Sequence, residues 1–225
     1  GVRFQCRGQA VDLPCATLLL HSGVVPNVQL TRAIGLDHFW DELGQAWHPH
    51  TDDMGRTRID GILIAGDGAG ISGAEAAVHS GRLAALAALD RLAEISDEEI
   101  GHERKARARY LPVRPFLDTL FAPDGAFLRP GDDTIVCRCE EVSAGQIRQL
   151  VTQGCYDPNA VKSLCRAGMG PCQGRYCGLT VSYLVAEMRG ISPAETGYFR
   201  LRSPAKPITL GELAGLQPPE ASDDG

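Results

Sequence analysis

Runs of hydrophobic and polar positions along the chain predict strands early and helices later. Residues 11–20, VDLPCATLLL, end in an apolar run suited to a buried strand, and HSGVVPN at 21–27 follows as a turn. Residues 30–44 read as a short helix and connector, and 45–67 as strand, polar turn and strand. The run ILIA at 62–65, closed by Gly66, has the short apolar character of a buried parallel strand. Beyond it, GAGISGAEAAVHSGRLAALAALDRLAE carries small and apolar residues at helical spacing to about residue 93. DEEIGHERKARARY at 97–110 predicts a charged helix. FAPDGAFLRPGDD at 121–133 holds several turn signals, so 122–133 reads as a linker after a first domain over 1–121. A compact, mostly helical unit rich in cysteine is expected over 134–192, and a tail over 193–225 whose end, PPEASDDG, is frayed. The fold class is α/β.

Composition narrows the function classes. With 225 residues and 44% hydrophobic content the chain can bury a real core. A net charge of −6, with no basic stripe, argues against nucleic acid as a partner. No run of 18 apolar residues occurs, so no membrane-spanning helix is expected. The opening GVRFQCRGQAVDLPC lacks the layout of a signal peptide. The expected compartment is the cytoplasm, where thiols stay reduced and clustered cysteines mean metal or catalysis.

Of eight cysteines, six fall within 41 residues. Cys137 and Cys139, in TIVCRCEEV, are predicted to leave the same face of an extended strand, serving one object and poorly placed to bridge each other. After 32 residues come Cys172 and Cys177, within GMGPCQGRYCG. Four thiolates can hold a tetrahedral zinc or a [2Fe–2S] cluster. A one-residue gap is tighter than a zinc knuckle and suits a cluster, in which each iron takes a pair of thiolates. Gly168, Gly170 and Gly174 would let backbone N–H groups approach cluster sulfurs. QGRYCGLTVSYLVAEM reads as a helix start whose free N–H groups favour an anion, and Arg138 and Arg175 add positive potential. Cys155 reads as a packed small hydrophobe. Cys165 does too, although it stands close enough to Cys172 to be an alternative ligand. Cys6 and Cys15 have no partner pattern and are expected to be buried thiols.

The stretch CRCEEVSAGQIRQLV…GMGPCQGRYCG resembles the bacterioferritin-associated-ferredoxin type of [2Fe–2S] module, in the wider-spaced version fused to flavin dehydrogenases. The resemblance implies Cys137, Cys139, Cys172 and Cys177 as the ligands. Upstream, Gly68-x-Gly70-x-x-Gly73 formally matches a dinucleotide fingerprint, but a charged helix follows where a second strand would be needed. The segment instead resembles the second flavin-binding motif of the glutathione-reductase-like oxidoreductases. There an acid at the end of a strand accepts hydrogen bonds from a ribityl hydroxyl. The alternative for Asp67 is an ordinary helix-capping role. LLLHSGVVPN resembles the strand and Gly-x-x-Pro-Asn turn that returns the chain to the flavin domain in that class. The implied flavin-binding residues are Gly66, Asp67, Gly68, Gly70, Gly23 and Pro26. That class opens with a further Gly-x-Gly-x-x-Gly not found here, so the resemblance implies its C-terminal portion, with FAD binding that needs the missing half. The tail is then expected to pack on the flavin domain.

Flavin part and cluster part in this order resemble the α (A) subunits of opine oxidases and of related proline or hydroxyproline dehydrogenases, and the subunit of a cyanide-forming glycine dehydrogenase. RPFLDTLFAP, TIVCRCEEV, GMGPCQGRYCG and GYFRLRSPAKPITLGELA carry the likeness. It implies an electron-transfer subunit, inactive alone, of an FAD- and [2Fe–2S]-dependent oxidoreductase acting on CH–NH donors. Its implied partners are a glycine-oxidase-like β subunit that oxidises the amine carbon and a small ferredoxin-like γ subunit. No catalytic residue or substrate signature is found. The second reading is a ferredoxin-like binding module with a degenerate flavin half, and the third a structural zinc domain. His48 and His50 are expected to be exposed, His79 packed or exposed, ERKARARY a solvated face or subunit contact, and Trp40 and Trp47 core or interface residues.

Overall fold

In the computed structural model, which describes residues 1–21, 23–90, 92 and 95–216, the chain begins as a hairpin. Strand β1 (Val2–Cys6) pairs antiparallel with β2 (Gln9–Leu13), from Val2 opposite Leu13 to Cys6 opposite Gln9. The strand expected over 11–20 therefore stops at Leu13, and the apolar run lies open, with Leu19 90% and Leu20 80% exposed. A strand needs a neighbour for its backbone hydrogen bonds and for its apolar faces. No strand among the described residues lies beside this run.

Helix α1 (Gln29–Ala33) starts where the Asn27 side chain accepts a hydrogen bond from the Gln29 N–H at 3.2 Å. The segment expected as a connector contains β3 (His38–Asp41), paired antiparallel with β4 (Ala46–Pro49). Trp40 stands opposite Trp47, their rings edge to face at 5.4 Å. The expected strand over 62–65 is not formed: a single bridge joins Arg56 and Leu63, and the Ile64 N–H donates to the Gly55 carbonyl at 2.8 Å. Each described sheet has two antiparallel strands, so the parallel partner this segment needs is not among the described residues.

Helix α2 (Ala74–Leu89) ends short of the expected residue 93; residues 91, 93 and 94 lie outside the described residues. It packs against α3 (Asp97–Ala108), which opens on a capping box of Ser96 and Glu99. Between them His79 meets Glu103 at 2.6 Å, both side chains largely buried, and stacks on Tyr110. The basic residues of α3 are not merely solvated: Arg104 pairs with Asp53 at 2.6 Å and Arg107 donates to the Asp53 carbonyl. Helix α4 (Arg114–Leu120) follows, and α5 (Gly125–Leu128), inside the segment expected to link, rests on the helix over Gly178–Arg189.

The cysteine-rich unit holds β5 (Ile135–Cys137), β6 (Val142–Ser143), α6 (Ala144–Thr152), α7 (Pro158–Cys165) and α8 (Gly178–Arg189). Ala144, Ile147 and Val151 on α6 and Val181, Leu184 and Val185 on α8 recur at helical spacing and form the core with Val161. A capping box of Ser143 and Gln146 starts α6, and the Asp157 side chain accepts from the Asn159 and Ala160 N–H groups to start α7. The tail carries α9 (Pro193–Thr196) and α10 (Leu210–Ala214). Between them Phe199, 1% exposed, enters the core of the cysteine-rich unit, while Tyr198 reaches α1, where Gln29 donates to its hydroxyl at 3.5 Å. The tail thus packs on both parts of the chain. PPEASDDG lies outside the described residues.

Candidate metal centre

Cys137 ends β5 and is buried, whereas Cys139 lies in the turn that follows and is exposed. The expectation that both leave one strand face is therefore corrected. The chain must turn back into β6 within four residues, which Glu141 allows at φ 54°, so Cys139 swings out of the strand. The turn is held by Glu140, whose carboxylate accepts from Arg166 at 2.9 Å at the left-handed end of α7.

The four thiols gather as two pairs, Cys137 with Cys177 and Cys139 with Cys172. Among the described residues no group of three or more His, Cys, Asp or Glu side chains surrounds a single metal-sized point. Two pairs suit a dinuclear centre, whose irons each take two thiolates, better than one tetrahedral zinc. Burial, reinforced by Cys137, pushes the Cys177 thiol far up. Burial would raise Cys172 as well, but the backbone N–H of Tyr176, the Cys139 thiol and the N–H groups of Gly174 and Arg175 bring it below its ordinary value. The Cys172 N–H favours the Cys139 thiolate, but the Cys172 thiol and partial desolvation outweigh it and leave Cys139 raised. The Gly168 N–H donates to the Cys137 sulfur at 3.5 Å. Arg175 donates to the Cys172 carbonyl at 2.9 Å and to that of Ala205 at 3.0 Å, fixing a positive charge at the site. Amides directed at sulfur are what an anionic cluster needs, so the donor set fits one. Arg138 is exposed. Cys165 donates to the Val161 carbonyl at 3.2 Å within its own helix and is raised by burial, as a packed thiol would be. Cys155 is buried in the core as expected, whereas Cys6 is exposed and Cys15 half-buried rather than buried, since the hairpin that holds Cys6 has no core to enter.

The glycines have reasons the sequence hid. A Cβ on Gly170 would come 2.2 Å from the Cys139 Cβ, so this residue makes room for a thiol-bearing side chain. Gly168 and Gly174 make room for Phe199 instead: a Cβ on either would lie 2.5 Å and 2.8 Å from its ring. A Cβ on Gly178, the first residue of α8, would stand 2.3 Å from the Tyr198 hydroxyl. The aromatic pair of the tail thus walls the centre, a role with no local sequence signal beyond two adjacent aromatics in a polar segment.

The expected flavin-binding residues are only partly gathered. Gly66, Asp67 and Gly68 form a 3₁₀ turn with Gly66 at φ 64°, and α2 begins later, after Gly73, so Asp67 does not cap it. Asp67 is exposed and Pro26 is buried. A Cβ on Gly70 would meet the His48 imidazole at 3.3 Å. His48 is not exposed as expected: its side chain is 14% accessible and stacks on Phe39, while His50 is exposed. Gly23 lines a cavity of about 410 Å³ together with Ile71, which follows Gly70, and with Arg114 and Phe121 of the α4 end. Leu179 and Thr180 of the first turn of α8, next to Cys177, close the same cavity. Of the six expected residues only Gly23 lines it; Pro26, Gly66, Asp67, Gly68 and Gly70 do not.

Residues 135–187 match the model of the BFD-like [2Fe-2S] binding domain. The A subunit of opine oxidase from Agrobacterium tumefaciens (strain Ach5) is 48% identical over 221 residues, 96% of this chain and 44% of that protein. Its counterpart from Rhizobium meliloti is 45% identical over 221 residues, 96% of this chain and 42% of that protein. The chain therefore spans a little under half the length of these relatives. The crystal structure of L-proline dehydrogenase from P. horikoshii superposes with a TM-score of 0.68 at 24% identity, over 85% of this chain and 37% of that one, a likeness of fold. No helix among the described residues is long and apolar enough to cross a membrane. Along residues 135–187 the chain thus matches a BFD-like [2Fe-2S] binding domain, and along nearly its whole length it resembles the A subunit of opine oxidase.

Proposed function

We propose that the chain is the electron-transfer portion of an α subunit in a heteromeric FAD-dependent dehydrogenase of amino acids or opines, acting on CH–NH donors and inactive alone. Cys137, Cys139, Cys172 and Cys177 hold the cluster. Gly23, Pro26, Gly66, Asp67, Gly68 and Gly70 belong to the flavin side. When bound, the flavin exchanges two electrons at once and the cluster one at a time. A β subunit that oxidises the amine carbon and a small γ subunit are the proposed partners, in a reducing cytoplasmic setting.

The single observation that carries this reading is the cavity shared by Gly23, Ile71 and the first turn of α8. Its wall joins the segment assigned to the flavin with the residues immediately after Cys177. Cys137 and Cys177 are buried, which keeps water from the inner thiol pair, and Cys139 is exposed, which leaves the outer pair accessible to an acceptor. The α8 N-terminus and the amides around Cys172 offset negative charge on the sulfurs.

The test is anaerobic purification of the assembled complex, with iron, acid-labile sulfide and flavin measured together. Iron and sulfide in equal amounts are expected, with loss of turnover to the physiological acceptor in Cys137→Ser while flavin stays bound. Full turnover in that variant defeats the relay. A colourless protein carrying zinc defeats the cluster.

A further inference from the structure

Arg32, on α1, has its Nε and Nη2 sealed from solvent with no hydrogen-bond partner, and among the described residues no carboxylate pairs with it. Its guanidinium is held between two aromatic faces, 4.7 Å from the Trp47 ring centroid and 4.9 Å from that of Tyr198. Aromatic faces attract a cation but do not neutralise it. A charge held this way lacks its counter-ion, and a sealed cation without one is costly.

Tyr198 does not supply the missing charge: burial holds its phenol neutral, pushed up to about 12. What Tyr198 does supply is a bridge. Its hydroxyl abuts Gly178, the residue after Cys177, and the ring is within electrostatic reach of both Cys177 and Cys172. On the far side of the ring lie Cys177 and Cys172, the sulfur ligands that become anionic when a metal centre is bound. Arg32 itself stays cationic at neutral pH, since burial lowers it only to about 10.

We infer that Arg32 is a positioning residue that, acting through Tyr198, raises the reduction potential of the centre held by Cys137, Cys139, Cys172 and Cys177. The inference rests on the cluster reading above. A fixed positive charge across one aromatic ring favours the more negative, reduced state of the centre. The low-polarity ring between them screens this attraction less than water would. The same contact joins α1 to the tail, so the residue that tunes the centre also sits at the junction between the two parts of the chain.

The test is a reductive titration of the complete, anaerobically purified protein, followed by visible and electron paramagnetic resonance spectra, with iron and sulfide quantified first. Arg32→Met is expected to lower the midpoint potential, and Arg32→Lys to recover most of the wild-type value. If Arg32→Met does not assemble, Arg32→Gln against Arg32→Lys makes the same comparison, since the midpoint must follow the charge. Equal midpoints for the charged and uncharged variants overturn the inference, because a purely structural Arg32 would be replaced equally badly by both. Absence of iron and sulfide from the wild-type protein is a separate outcome: it removes the cluster reading, and the inference with it.

Discussion

Phe199 against Gly174 gives the sharpest test of why the loop before α8 is rich in glycine. Sequence alone suggests that these glycines serve the cluster; in the structure the Gly174 N–H does favour the Cys172 thiolate, but its missing side chain makes room for a phenylalanine 25 residues away. Phe199 is 1% exposed, and a buried phenylalanine removes about 150–250 Å² from water. At about 25 cal/mol per Å² that is roughly 4–6 kcal/mol, in line with the ~3–5 kcal/mol that Phe→Ala changes cost in cores. Gly174→Ala adds two penalties. Its φ of 78° is left-handed, which costs an alanine about 1–2 kcal/mol. Its new Cβ would sit 2.8 Å from the Phe199 ring, an overpacking of about 1–3 kcal/mol. In a Phe199→Ala background the second penalty vanishes and the first remains. Urea unfolding of the two single variants and the double variant, followed by far-UV circular dichroism, should give a double variant more stable than the sum predicts by about 1–3 kcal/mol. Additivity within about 0.5 kcal/mol would refute the steric account and leave Gly174 only its backbone role beside Cys172.

Gly170→Ala should behave differently, because its Cβ would collide with Cys139 rather than Phe199: iron bound per chain should collapse while helical content persists, and normal iron loading would refute the placement of Cys139. Asp157→Ala removes the acceptor for the Asn159 and Ala160 N–H groups and should cost about 1 kcal/mol of stability in urea melts, an unchanged midpoint counting against it. His38 is held down to about 4, first by burial and then by Arg32. Its folded value lies below the unfolded one, so its stabilising contribution is complete above about pH 6.5 and is lost as pH falls toward 4. After discounting for solvent this is about 1–2 kcal/mol, and His38→Gln should flatten that part of the stability–pH curve.

What the sequence disclosed and what it withheld divide along the range of the interactions. Helices α2 and α8 were readable because a 3.6-residue period is a property of one segment, and α3 because its run of charge is local, although it ends at Ala108 rather than Tyr110. Cysteine spacing marked out the two close pairs, Cys137 with Cys139 and Cys172 with Cys177, because such spacing is also local, while the choice of these four as ligands over Cys165 came only from the family resemblance. Strands failed where pairing decides: residues 14–20 and 62–65 are apolar enough for strands, yet no described strand lies alongside either. Cys139 was misplaced for a subtler reason. The i, i+2 rule holds only while the backbone stays extended, and nothing in CRCEEV announces that the strand stops at Cys137. Phe199 and Tyr198 were invisible as parts of the site because they reach it from the tail, 22 and 21 residues beyond Cys177.

The division of the thiols into a buried pair and a partly exposed pair bears on the proposed direction of electron flow. Cys177 is reached from the side of α8 whose first turn closes the cavity shared with Gly23. Cys139 is exposed to solvent, and so are Tyr176 (85%) and Met169 (38%) in the loop that carries Cys172. A centre buried on all sides would be hard for a second protein to approach, and one exposed on all sides would lose electrons to any adventitious acceptor. One sheltered pair and one open pair give the site an entry and an exit. On this reading a bulky charged residue at Met169 or Tyr176 should slow transfer to an external acceptor protein while leaving reduction through the cavity side intact. Single-turnover reduction of the complex, compared with reoxidation by that acceptor, separates the two. Equal slowing of both steps would mean that the two faces do not differ in function.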